Sequence, residues 1–85
     1  MRLPVIKGFV IIIENSGEEK IENAIQVLEA TSEIRGFKEE ELEVIGELLS
    51  NMFGALEVSK DIASGTPSTE AHNNFMKRVM GSIDK

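Results

Sequence analysis

From Lys38 to Ser64 the chain reads KEEELEVIGELLSNMFGALEVSKDIAS, with Leu42, Ile45, Leu49, Met52, Phe53 and Leu56 recurring every three or four positions. That period is the mark of an amphipathic α-helix, the longest in the chain. Glu39, Glu40 and Glu41 crowd its first turn, where the helix dipole favours negative charge, and Phe37 is placed to staple onto Leu42. Gly46 and Gly54 each weaken a helix by about 1 kcal/mol relative to alanine. Lying near one face, they suggest close approach of another backbone, with a mild bend at Gly54 as the alternative.

The neighbouring segments follow the same period. In SGEEKIENAIQVLEATSEI, residues 16–34, Ile21, Ala24, Ile25, Leu28 and Thr31 fall at helical intervals. Ser16 with Glu19 reads as a capping box, and Gly36 as the positive-φ residue that ends the helix. In SGTPST, Gly65 closes the long helix, Thr66 is the expected N-cap and Pro67 the first residue of a last helix. Its stripe is Ala71, Phe75, Met76, Val79, Met80 and Ile83, with Lys77, Arg78 and Lys85 in its second half.

LPVIKGFVIII, residues 3–13, is harder to place. Val5, Ile6, Val10, Ile11, Ile12 and Ile13 are β-branched and favour a strand. Yet nothing else in the chain reads as a strand, so a lone one would leave its amides and carbonyls unpaired unless it paired with another molecule. The leading reading is therefore a helix, with Pro4 near its first turn and Ile6, Phe9, Val10 and Ile13 on one face. Ile11 and Ile12 then lie off that face, leaving a helix apolar on more than one side. Such a helix seeks burial on all sides, which points to self-association with Val5, Phe9, Ile11 and Ile12 as interface residues.

Eighty-five residues make a single domain spanning 1–85, because two smaller pieces would each bury too little surface. A composition 41% apolar and 28% charged belongs to a soluble globular chain. The absence of cysteine excludes disulfides, thiol chemistry and cysteine-bound metals. No run approaches the length of a membrane span, and the apolar stretch Phe9 to Ile13 is too short for a signal peptide, so a cytoplasmic protein is expected. Of the net charge of −6, residues 14–47 carry −8, residues 1–13 carry +2 and residues 48–85 sum to zero. An acidic middle repels phosphate backbones and disfavours nucleic acid as a partner; its ordinary role is a solvated face, its functional alternative a docking face for a basic partner.

Catalytic groups are sparse. His72, in TEAHNNFMKR, is the one histidine, spaced to touch the core through Phe75, Met76 and Val79. As a general base it lacks an evident nucleophile, and as a metal ligand it lacks the Glu-x-x-His spacing of helical metal sites. Glu40, Glu43 and Glu47 share a helix face, but a hard cation needs about six converging oxygens. The glycines are scattered, so no phosphate-cradling loop forms. Lys77 and Arg78 are too few for a nucleic-acid footprint. Met52, Met76 and Met80 read as core filling, or as an adaptable groove if exposed. No catalytic residue, cofactor or metal site is assigned, and His72 stays a weak ligand candidate.

LEVIGELLSNMFGALEV at 42–58, NNFMKRVMGSID at 73–84 and the opening LPVIK resemble a family of small conserved bacterial proteins with no assigned function. The resemblance implies an all-helical cytosolic protein and carries over no site residues. The expected fold is all-α, a bundle of four helices at about residues 4–14, 17–34, 38–64 and 67–83. The expected function is a protein–protein interaction or regulatory module acting as a homo-oligomer, non-enzymatic. The alternative is a small-ligand or metal-binding bundle, conceivably enzymatic, using His72 with glutamates of another helix or chain.

Overall fold

The computed structural model describes the backbone of residues 2–83 and the side chains of residues 2–79, so Met80, Ile83 and Lys85 fall outside the side chains described. Four helices follow one another: α1 (Leu3–Ser16), α2 (Glu18–Thr31), α3 (Glu39–Ala63) and α4 (Ser68–Ile83). No strand occurs among the described residues, and the N-terminal run is a helix, as the leading reading required.

Local chemistry sets the helix ends, and several differ from the sequence reading. Arg2 takes an extended conformation ahead of α1 and its carbonyl accepts from the amides of Val5 and Ile6, while Pro4 sits in the first turn where no amide is needed. Ser16 is the last residue of α1 and caps nothing: Gly17, at φ +91°, donates its amide to the Ile13 carbonyl at 2.7 Å and reverses the chain alone. The capping box expected from Ser16 and Glu19 is therefore absent. Helix α2 stops at Thr31, short of the expected Ile34, because the hydroxyls of Thr31 and Ser32 donate to the carbonyls of Val27 and Glu29, both at 2.7 Å. Gly36, at φ +110°, turns the following loop instead of capping the helix.

Helix α3 starts where Glu41 Oε1 accepts the Lys38 amide at 2.8 Å, the carboxylate half of a capping box. It ends as expected, with Gly65 at φ +113° and the paired bonds of a Schellman motif, Thr66 N–H to Asp61 O at 3.1 Å and Gly65 N–H to Ile62 O at 3.0 Å. Helix α4 begins one residue later than expected. The Pro67 carbonyl accepts the Ala71 amide at 2.8 Å, so Pro67 takes the capping position assigned to Thr66.

The core is built on the α1–α3 pair. Ile6, Val10 and Ile13 of α1 meet Met52, Ala55 and Val58 of α3, Ile21 and Ile25 come from α2, and Ala71 and Phe75 from α4. Both α2 and α4 pack on α1 and α3 without touching each other, so they flank the central pair and the molecule is a slab of 43 × 35 × 16 Å. The two α3 glycines part company. A Cβ on Gly54 would lie 2.9 Å from the Phe75 ring and 3.5 Å from Ile6 Cδ1, so its missing side chain seats those two side chains and not a backbone. A Cβ on Gly46 would meet nothing within 4 Å.

A slab covers its core thinly. The radius of gyration is 13.8 Å, against about 12 Å for a compact chain of this length. The accessible surface is 5852 Å², against about 5,000 Å² for a monomer of 9.4 kDa.

Candidate functional site

Of the interface residues expected from the sequence, Val5, Phe9 and Ile12 fall at spacings of four and three on one side of α1, and Ile11 lies apart from them. On α1, Ile11 and Ile12 are exposed at 56% and 43%, whereas Val5 and Phe9 are half-buried. Val5 lines a shallow cavity with Val44, Leu48 and Asn51 of α3. Ile11 lines a different groove, between α1 and α4. Ile6, Val10 and Ile13 take the buried stripe because they are spaced by four and three residues and face α3.

A more continuous apolar surface lies on α3. Leu42 is 37% exposed and Phe53 51%, Leu49 and Leu56 are half-buried, and Gly46 lies between them in sequence and open to solvent. The spacing 42, 46, 49, 53, 56 alternates four and three residues, which holds all five in one narrow stripe along the helix. Buried Ile45 and Met52 run beside it. The apolar series read from the sequence as one face is thus two adjacent faces, one covered by the rest of the chain and one partly open, with Leu42 and Phe53 exposed while Leu49 and Leu56 pack against the core on their inner sides. The signal was present in the adjacent pair Met52 and Phe53, which a single narrow stripe cannot accommodate. Near its C-terminal half the partly open stripe leads into a groove lined by Phe53 and Leu56 together with Ile25, Gln26, Glu22 and Glu29 of α2.

His72 is buried. Its Nδ1 lies 2.7 Å from the Ser68 carbonyl one turn back, and since a carbonyl only accepts, Nδ1 donates this hydrogen bond. Nε2 is buried with no hydrogen-bond partner among the described residues. The ring borders an open groove of about 250 Å³ with Lys7, Ile11, Glu14, Ser68 and Thr69. Among the described residues no three histidine, aspartate or glutamate side chains converge on a common point.

Other polar residues work within the fold. Asn51, buried in α3, accepts the Arg2 amide on Oδ1 at 2.9 Å and donates Nδ2 to the Glu47 carbonyl at 2.7 Å. Arg2 Nε meets Glu47 Oε1 at 3.0 Å, so one member of the acidic row Glu40, Glu43 and Glu47 fastens the start of α1. The sequence reading passed over Asn51, whose mark was a poor helix former in phase with Ala55 and Val58. Arg78 pairs with Asp61 at 3.6 Å and lies over the Phe75 ring, 5.8 Å from its centroid. Met52 is buried and Met76 half-buried, so these two fill the core.

The family model described as a family of unknown function, DUF6952, matches residues 1–84. The chain belongs to that family. The match spans the whole described fold, α1 to α4, and gives no member of DUF6952 a role for any residue. No curated protein and no solved structure matches the chain. No helix among the described residues is long and apolar enough to cross a membrane.

Proposed function

We propose that this member of DUF6952 is a protein–protein interaction module that acts as a homo-oligomer. The observation behind this reading is an accessible surface above that of an average monomer of this mass, part of it apolar. Large apolar side chains supply part of it, Ile11, Val27, Val44 and Phe53 each being more than half exposed. Leaving such groups in water forgoes about 25 cal/mol for every Å² that a partner would cover. Acidic residues border the apolar stripe of α3 at Glu22, Glu29 and Glu43, and their charge keeps the free chain soluble.

The test is the mass of the purified, untagged protein by native mass spectrometry and by light scattering over a dilution series. A mass at an integer multiple of 9.4 kDa supports the reading. A single-chain mass across the series, up to concentrations of order 100 μM where a weak standard-size interface is populated, overturns it.

A further inference from the structure

We propose that the second copy docks on the partly open face of α3, with the two α3 helices antiparallel about a two-fold axis beside Leu49. This placement rests on the homo-oligomeric reading and says where and how the copies meet.

Gly46 is the starting point. A glycine inside a helix costs stability, and within the chain this one seats nothing, since a Cβ there would touch no atom within 4 Å. Gly54, about two turns away, shows what such a position is for in this protein: it receives the Phe75 ring. Gly46 lies in line with Leu42, Leu49, Phe53 and Leu56, whose alternating spacing is that of a helix seam awaiting a second helix.

Two-fold symmetry makes the stripe complementary to itself. An isologous contact pairs residue i with residue j and j with i. With the axis between Leu49 and Ser50, Gly46 meets Phe53, and Leu49 and Leu42 lie within one residue of Leu49 and Leu56 of the second copy. The half-exposed ring that has no seat in its own chain thereby fills the hole that its own chain leaves empty, twice per dimer.

Charge selects the antiparallel direction. Glu39, Glu40 and Glu41 form the first turn of α3, and Lys60 lies in its last turn. The same register that seats Phe53 on Gly46 brings Lys60 against Glu39 of the second copy, at both ends of the pair. Neither residue has an ion-pair partner among the described residues. A parallel pair would instead stack two acidic first turns, where like charges and like helix-dipole ends repel.

Dimer dissociation is measured by light scattering for the full chain and its variants, with helix content checked by circular dichroism. Phe53→Glu is expected to raise the dimer Kd more than about a hundredfold, and Ile12→Glu to leave it unchanged. Lys60→Glu, a surface change that spares the fold, is expected to weaken pairing, and the double variant Glu39→Lys/Lys60→Glu to restore it. Because the chain has no cysteine, Ala63→Cys, at the exposed end of α3, carries a single nitroxide label; its distance to the label of the second copy is expected to be about 40 Å, from about 1.5 Å of rise per residue. A dimer that survives Phe53→Glu but dissociates with Ile12→Glu overturns the α3 placement and moves the interface to α1, leaving the homo-oligomeric reading intact. Labels within about 15 Å, as in a parallel pair of helices, overturn the antiparallel arrangement. A wild-type chain that is monomeric throughout ends the homo-oligomeric reading itself.

Discussion

At the scale of single residues, two glycines one stretch of helix apart carry opposite expectations. A Cβ on Gly54 would lie 2.9 Å from the Phe75 ring, so Gly54→Ala forces that ring to move and should destabilise the chain by about 1 to 3 kcal/mol. Gly46→Ala meets no obstacle and should stabilise the folded monomer by about 0.5 to 1 kcal/mol. Urea unfolding followed by far-UV circular dichroism measures both, best on a Phe53→Glu background so that pairing does not enter. A destabilising Gly46→Ala on that background would show that the monomer itself needs the glycine. His72 belongs to the same scale: spacing alone placed it against the core, and the structure buries it, but the hydrogen bond that Nδ1 donates depends on the Ser68 carbonyl one turn back.

At the scale of helices, α1 is held by one apolar stripe and one polar anchor. Ile6 is fully buried, so Ile6→Ala should cost about 3 kcal/mol, whereas Ile12→Ala, on the exposed side, should change stability by less than about 0.5 kcal/mol. Equal costs in urea unfolding would mean that α1 is rotated about its axis. At its N-terminus, Asn51→Ala removes the acceptor of the Arg2 amide and should cost about 1 to 2 kcal/mol. Glu47→Ala removes only an exposed ion pair and should cost less than about 1 kcal/mol. The helix boundaries show where periodicity stops informing. The end of α3 was legible because Gly65 has one conformational use there, while the turn between α1 and α2 was misread because Gly17 does alone what Ser16 was expected to share.

At the scale of the molecule, the flat packing couples stability to concentration. If the slab is completed by a second copy, the wild-type Tm should rise with protein concentration, and the Phe53→Glu chain should melt at a Tm independent of concentration. A concentration-independent wild-type Tm would contradict dimerisation over the range tested. The flatness follows from α2 and α4 each packing on the central pair without meeting, which leaves no helix to cover the outer side of α3.

The sequence alone determined three helices after residue 16, roughly where they lie and which apolar residues each would offer, because helical period, glycine stops and a proline start are local properties; for residues 3–13 it favoured a helix and left a strand open. It also carried the family, through a match over residues 1–84. Only the tertiary structure decided which of two adjacent apolar faces on α3 is covered, that Gly54 is filled while Gly46 is open, and that Asn51 anchors α1. Those outcomes depend on how helices cross, and crossing is settled by side chains that are far apart in the chain. A helix read by itself presents its apolar residues as one set; the neighbours that bury Ile45 and Met52 and pass by Leu42 and Phe53 exist only once the chain has folded.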